Sequence, residues 1–272
     1  MGSHDGRNAH LVEQVATKAR VVFLSAWASD PTLSQAFVPW YFSCVPTDLQ
    51  QATVLIEEIY NKRKISKIAL VADNGYDSKL ALTSFVKKSK IAGKEDPLQF
   101  FYDNSSQDFT NLLDQINKKD IKCIILFGQP SASLKLIQQI RQRKMNQSVF
   151  GSLSLMGERG FSDQELKIYE GVVLVSSGYW FTSKGTTFRQ EFLRLYGYQP
   201  GPVAAYAFDG MNLIIEAIKD NGTDREKIQK SITGIKYEGV TGLIQFDDKG
   251  NRVWTGELME IKNGRLVALE KN

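Results

Sequence analysis

The sequence has few of the residues that metal and nucleophilic sites use. Its 272 residues include two histidines, His4 and His10, and two cysteines, Cys44 and Cys123. The histidines lack the i, i+4 spacing by which one helix binds zinc. Each cysteine lies inside an apolar run, which favours two buried free thiols over a disulfide bond. We therefore expect no metal site and no cofactor.

The common motifs of nucleotide-binding and hydrolytic enzymes are also missing. The sequence contains neither G-x-G-x-x-G nor the phosphate-binding G-x-x-x-x-G-K-[ST]. Residues 151–157 read GSLSLMG, which does not have the G-x-S-x-G spacing of a nucleophile elbow. We predict that the chain is not an enzyme, and a catalytic site on a doubly wound fold stays as a lower-ranked alternative.

Long hydrophobic runs and one-sided charge are absent as well. No apolar run reaches the roughly 18 residues of a membrane-spanning helix. No secretory signal precedes Asp5, and the sequence does not decide whether residues 1–4 are native. The net charge of +4 arises from mixed charges, and the lysine clusters fall at predicted helix ends. Solvated helix faces are favoured there, and no nucleic-acid partner is expected.

What the sequence does contain is an alternation of strand-like and helical segments. Strands are predicted over residues 68–72, 98–102, 123–127 and 171–175, with helices over 77–88, 109–117 and 166–169 and another capped by Ser131. Helices over 187–196, 203–219 and 224–231 follow, and then antiparallel strands over 243–246, 253–262 and 266–269. The alternation predicts an α/β fold with a doubly wound, mostly parallel sheet.

The predicted helix over residues 203–219 has an unusually broad apolar face. We assign to this face Val203, Tyr206, Ala207, Met211, Ile214, Ile215 and Ile218. A face of this width predicts that the helix packs closely into the protein core.

Residues 21–51 are the most informative segment. A strand over 21–24 ends in a polar loop that includes Trp27, Ala28 and Ser29, and a second strand over 40–45 precedes a helix. Backbone N–H groups, a hydroxyl and a large aromatic ring therefore follow a buried strand. In open α/β sheets, ligands bind at this end of the strands.

Five strings, in order along the chain, resemble the Leu/Ile/Val-binding protein family, the type I periplasmic solute-binding proteins of ABC transporters. They are LSAWASDPTL at 24–33, FSCVPTDLQQ at 42–51, IALVADNGY at 68–76, AYAFDG at 205–210 and YEGVTGLIQFD at 237–247. The resemblance implies an α/β, two-lobed type I periplasmic-binding-protein fold. It places residues 1–46 plus 179–235 in lobe one and 47–178 plus 236–272 in lobe two.

The resemblance also implies a function. It predicts an extracytoplasmic protein that binds a small amino-acid-like, carboxylate or amide ligand between two lobes and delivers it to permease subunits. The expected location is periplasmic or extracellular, with a lipid anchor as one option. The alternatives are a ligand-sensing ectodomain of a signalling receptor and a fragment that binds nothing.

The family's ligand loops correspond to eight residues here. Lobe one would contribute Asp5, Gly6, Trp27, Ala28 and Ser29, and lobe two would contribute Tyr76, Gln129 and Ser154.

Each of these residues also has an ordinary structural interpretation. Ser29 is equally well placed to cap the next helix. Trp27 could be a core residue, but its place in a polar loop favours a pocket wall. Tyr76 fits a half-buried tyrosine, Asp5 an exposed loop acid, and Gln129 a residue that satisfies local backbone.

Two departures from the family pattern affect these expectations. Leu153 stands where the family's ammonium-binding acid is expected, so an α-amino acid would need another partner, such as Asp5 or Asp73. Branched-chain amino acids are therefore not favoured. By this resemblance we also expect lobe one to be incomplete by about a hundred residues, which the family places before its first ligand loop. An incomplete lobe with an open strand edge predicts a homo-oligomer or a domain swap.

Overall fold

The computed structural model describes residues 1–2, 4–35 and 38–269. The chain divides into two compact units and passes between them at three points. Unit 1 comprises residues 1–48 and 177–255, and unit 2 comprises residues 49–176 and 256–272. Each unit is therefore built from separate stretches of the sequence.

The secondary structure alternates between strands and helices for most of the chain. The helices are α1 (Gly6–Ala19), α2 (Asp48–Ile56), α3 (Tyr76–Ile91), α4 (Thr110–Asn117), α5 (Pro130–Gln142), α6 (Asp163–Ile168), α7 (Ser183–Tyr196), α8 (Pro202–Asn221) and α9 (Arg225–Thr233). The strands are β1 (Phe23–Ser25), β2 (Tyr41–Ser43), β3 (Ile68–Asp73), β4 (Leu98–Tyr102), β5 (Cys123–Phe127), β6 (Ser148–Gly151), β7 (Val173–Val175), β8 (Tyr237–Gly239), β9 (Gly242–Ile244), β10 (Leu258–Lys262) and β11 (Arg265–Ala268). A π-helical turn, Glu57–Lys62, continues α2, and 3-10 turns cover Pro31–Ser34 and Leu153–Leu155.

Unit 2 is built on a seven-stranded sheet in the order β11-β10-β7-β6-β5-β3-β4. Strands β7, β6, β5, β3 and β4 are parallel to one another. Strand β10 pairs antiparallel with β7, and β11 pairs antiparallel with β10. Every residue of β3 and β5 is buried. Parallel strands covered on both faces are expected to be continuously apolar in this way.

Unit 1 contains a shorter parallel sheet. Strands β1 and β2 pair in parallel, and single parallel bridges join Gly2 to Ser25 and Ser43 to Asn251. Strands β8 and β9 form a separate antiparallel hairpin. The aromatic rings of Phe23 and Tyr41 lie 5.7 Å apart in a small core beneath α1.

Most predicted elements appear at or near their expected positions. Helix α1 was not among the predicted elements, and its N-cap is Asp5. Ser131 is not a cap as predicted, because α5 begins at Pro130 and its N-cap is Gln129. The strand predicted over residues 253–262 forms only from Leu258 onward. Both cysteines are free and buried, as predicted, and burial raises the pKa of the Cys44 thiol to about 12.

The prediction that the broad apolar face of α8 is buried in the core is only partly correct. The buried side chains of this helix include Ala205, Tyr206, Leu213 and Ala217, whereas Met211, Ile215 and Ile218 are exposed. Gly210 lets the helix approach the sheet, since a Cβ there would lie 2.6 Å from Leu24 Cδ2. That close approach determines which side of α8 faces the sheet.

Residues 236–255 belong to unit 1, although we expected the whole of residues 236–272 in lobe two. Buried Asp209 of α8 accepts hydrogen bonds from Val240 N at 2.7 Å and from Thr241 N at 2.8 Å. Arg252 donates to Cys44 O at 3.1 Å and to Thr241 O at 2.7 Å. These buried bonds hold the β8–β9 hairpin against the rest of unit 1.

Burial raises the pKa of the Asp209 carboxyl, while bonds from Thr241 and Val240 and the charge of Arg252 oppose the shift. The arrangement is tightly packed. A Cβ added at Gly239 would lie 2.5 Å from Cγ and from both oxygens of Asp209.

We predict that Gly239→Ala lowers the free energy of unfolding by about 1–3 kcal/mol, because the hydrogen-bonded Asp209 carboxylate cannot move aside without losing its partners. Urea denaturation followed by circular dichroism measures the change. Gly234→Ala is the matched control, since a Cβ there meets only Lys230 O, at 3.8 Å. Equal stability of the two variants would contradict the prediction.

Candidate functional site

In unit 1, two loops follow the carboxyl ends of neighbouring parallel segments. Gly2 pairs with Ser25 of β1, so the turn at Asp5 and Gly6 leaves the same edge of the sheet as residues 27–29. Since parallel strands end at one edge, the five residues predicted for lobe one belong to adjacent loops. The sheet thus brings these five of the eight predicted residues together.

Asp5 is engaged in capping α1. Its Oδ1 accepts a hydrogen bond from Asn8 N at 2.7 Å, and its Oδ2 accepts one from Asn8 Nδ2 at 2.6 Å. Gly6 is the first residue of the helix and is buried. The capping carboxylate satisfies an amide that would otherwise lack a partner at the helix N-terminus.

Ser29 does not cap the following turn. Asp30 does, because its Oδ1 accepts from Thr32 N at 2.8 Å. Ser29 instead donates its hydroxyl proton to Asp48 Oδ1 at 2.7 Å, and Asp48 N donates to Ser29 O at 2.8 Å. This reciprocal pair fixes the loop after β1 against the first residue of α2.

Trp27 is half-buried, and Ala28 beside it is buried. The indole lies 6.5 Å from the ring of Tyr206, which is fully buried on α8. The Tyr206 ring in turn has the Arg252 guanidinium 5.7 Å from its centroid. Trp27 therefore lies beside a buried aromatic ring and is still partly accessible, as a residue of a pocket wall would be.

In unit 2, the three predicted residues also share one edge of the sheet. Tyr76 follows β3, Gln129 follows β5, and Ser154 follows β6. These strands are parallel neighbours in the order β6-β5-β3. The loops that carry the three residues are consequently adjacent.

The Asp73 carboxylate holds two of these loops. Asp73 ends β3 and is fully buried. Its Oδ1 accepts from Gly75 N at 2.7 Å, and its Oδ2 accepts from Gln129 N at 2.9 Å. The Gln129 side chain itself is exposed, and Tyr76 is 39% exposed. The hydrogen bonds of Asp73 therefore fix the backbone of the two loops that carry the Tyr76 and Gln129 side chains.

The third loop of unit 2 is held in a similar way. Ser154 donates to Gly128 O at 3.1 Å, and its Oγ lies 2.8 Å from Ser152 Oγ. Leu153 N donates to Gln51 Oε1 at 3.0 Å, and the Leu153 side chain is buried. Ser154 is half-buried and remains partly accessible beside Gln129.

Three polar residues that organise these loops are not among the eight predicted site residues: Asp48, Gln51 and Asp73, which we named only as an alternative partner for an ammonium group. Only Asp73 offered a local signal, since an acid at the end of an apolar strand commonly binds the amides of the next turn. Which further groups the three residues bind depends on contacts between residues far apart in sequence. Among the described residues, no group of three histidine, cysteine or acidic side chains could hold a metal ion.

A family model described as periplasmic binding protein matches residues 1–264. The chain belongs to the periplasmic binding protein family. The predicted resemblance is thus confirmed at the level of the family, as is the α/β fold with mostly parallel sheets. The matched family is one of binding proteins.

Solved structures share the fold at low sequence identity. A leucine-binding protein, LivK, from Thermotoga maritima has a TM-score of 0.84 and 17% identity over 99% of this chain and 78% of its own. A solute-binding protein of an ABC transporter from R. palustris, in complex with benzoate, has a TM-score of 0.85 and 17% identity over 96% of this chain and 73% of its own.

Plant glutamate receptors are also similar in sequence. Glutamate receptor 3.4 of Arabidopsis thaliana is 24% identical over an alignment 299 positions long, which covers 93% of this chain. The chain spans about a third of the length of the curated relatives it matches, 30% and 32%.

We predict that Asp73→Asn weakens unit 2, because an amide nitrogen replaces one of two acceptors that face backbone N–H groups. The free energy of unfolding should fall by about 1–3 kcal/mol, and amide hydrogen exchange at Gly75 or Gln129 should accelerate. Asp103→Asn, in an exposed loop, is the control. Unchanged exchange at both amides would contradict the role assigned to Asp73.

Proposed function

We propose that this chain is the solute-binding component of an ABC transporter. It binds a small ligand through the carboxyl-end loops of both units, works in the periplasm or outside the cell, and delivers the ligand to permease subunits. The observation that carries the proposal is the grouping of the predicted residues into adjacent loops at one sheet edge in each unit. Membership of the periplasmic binding protein family supports it.

The loops of unit 1 are suited to a carboxylate. Gly6 begins a helix of 14 residues, and helix N-termini favour anions; the Asp5 carboxylate is already one anion there, and it accepts from Asn8 N. Ser29 is partly accessible, and Trp27 offers a supported ring face beside it. In this proposal the amides near Gly6 and the loop at Ala28 and Ser29 bind the acid group, and Trp27 covers the apolar part of the ligand.

The acids near the proposed site are poorly placed for an ammonium group. Leu153 carries no charge, and Asp73 is fully buried with both oxygens accepting backbone amides. Asp5 is committed to capping α1. A buried ammonium without a charged partner is costly. We therefore rank carboxylates and amides without an ammonium group ahead of branched-chain α-amino acids.

Proteins with the same fold include examples of both ligand classes. One is a leucine-binding protein, and another was solved with benzoate. Binding of an aromatic carboxylate and no amino acid would fit the ranking, whereas selective binding of leucine or isoleucine would reverse it. Calorimetry with both classes of ligand distinguishes the two.

A ligand-sensing ectodomain is the second candidate function. The observation that favours it is the match to glutamate receptors, in which the aligned stretch is about a third of a longer chain. Ligand-dependent stimulation of transport by permease subunits in vesicles would support the transport function. Ligand-dependent activation of a fused signalling domain, without transport, would support sensing.

We predict that Trp27→Ala and Tyr76→Ala each weaken ligand binding tenfold or more, about 1.4 kcal/mol, because each removes an aromatic contact. Isothermal titration calorimetry measures the affinity for the ligand found in a panel of aromatic carboxylates, amides and amino acids.

Matched controls separate this effect from a general loss of aromatic residues. Trp254→Ala removes another half-buried tryptophan of unit 1, and Phe101→Ala removes an exposed ring of unit 2. Both should bind normally. Wild-type affinity in Trp27→Ala and Tyr76→Ala together would refute the site assignment.

A further inference from the structure

Helix α8 carries a second apolar surface that faces solvent. Phe208, Met211, Ile215 and Ile218, here called the α8 seam, are 46%, 45%, 39% and 42% exposed. Their spacing of three, four and three residues is that of the contact positions in a coiled coil. A helix that is apolar on two sides is normally covered on both.

The seam continues into a groove of unit 1. This groove has a volume of about 860 Å³ and is lined by residues of α7, α8 and β8, among them Phe188, Phe192 and Phe208. Leu195 and Tyr196, which also line it, are each 61% exposed. None of the eight residues predicted for ligand binding lines the groove.

The exposed apolar area is large for a surface without a partner. With Leu195 and Tyr196, the seam exposes roughly 500 Å² of apolar side chain, near the upper end for the largest patch of a monomer. Each partner of a standard interface buries roughly 800 Å². The seam and groove therefore supply more than half of one side of a stable interface.

The seam has the symmetry of a self-complementary contact. The order three, four, three reads the same in both directions, so an antiparallel copy matches it position for position. In that register Phe208 faces Ile218 of the second copy, and Met211 faces Ile215. A two-fold axis requires such reciprocal pairing.

The charges beside the seam permit this pairing. Ala207, Asn212 and Ile214 flank it without charge. Lys219 is paired with Glu216 of its own helix at 2.8 Å. In the antiparallel register, Lys219 faces Ala207 of the second copy, so Lys219 meets no like charge of the facing α8 helix.

We propose that the α8 seam is the interface of a homodimer, in which the α8 helices of two copies pack antiparallel about a two-fold axis. The dimer surface is separate from the proposed ligand loops. Its failure and that of the ligand proposal can therefore be told apart, since one is read from mass and the other from affinity.

The test is the mass of the full 272-residue chain in solution. Sedimentation and light scattering from about 1 to about 100 µM cover dissociation constants of ordinary dimers. We expect twice the chain mass at the upper concentrations. A monomer at every concentration in this range would overturn the proposal, because the seam would then not bind a second copy.

The double variant Met211→Glu/Ile215→Glu locates the interface. Because both side chains are exposed, the variant should keep the wild-type circular dichroism while its dimer dissociation constant rises at least tenfold. Ile91→Glu, at a position 72% exposed in unit 2, is the matched control and should dimerise normally. A dimer that persists in the double variant would overturn the proposal in favour of another interface, including a domain swap.

Disulfide trapping tests the orientation. An equimolar mixture of Met211→Cys and Ile215→Cys proteins should form the mixed cross-link under mild oxidation, because these positions face each other in the antiparallel register. The two native thiols are buried and do not compete. Links only between identical positions would overturn the antiparallel arrangement.

Discussion

The arrangement of this protein depends on buried aspartates that bind backbone amides. Asp73 in unit 2 is fully buried, and its two oxygens accept the amides of two different loops. Asp209 does the same in unit 1 for the turn after β8, with Arg252 nearby as the compensating charge. A buried carboxylate without such partners would be strongly destabilising. The loops and the acids are therefore stable only together.

This constraint accounts for what the loops that we propose as the ligand site offer to a ligand. The acids beside them, Asp5, Asp30 and Asp73, accept hydrogen bonds from backbone amides and stabilise turns. The groups of these loops that solvent can reach are aromatic rings, hydroxyls and an amide, at Trp27, Tyr76, Ser29 and Gln129. Such groups select a ligand by shape and hydrogen bonding.

The sequence predicted elements well where one local signal dominated. Strands β4 and β5 match their predicted bounds, since their apolar runs end at clear turns. The site residues were predicted from a family resemblance, and the strand order groups them within each unit. The hydrogen bonds of Asp48 and Asp73 could not be predicted, because they join residues far apart in sequence. The placement of residues 236–255 depended on such long-range bonds as well.

Helix α8 shows why burial is harder to predict than helicity. Its apolar residues cover so much of the circumference that periodicity alone does not say which side faces the sheet. Gly210 decides it, because the missing side chain admits Leu24 and Cys44 and turns Tyr206 and Leu213 inward. The remaining apolar residues must then face outward at heptad spacing. The same packing that fixes the helix in unit 1 thus creates the surface that we assign to dimerisation.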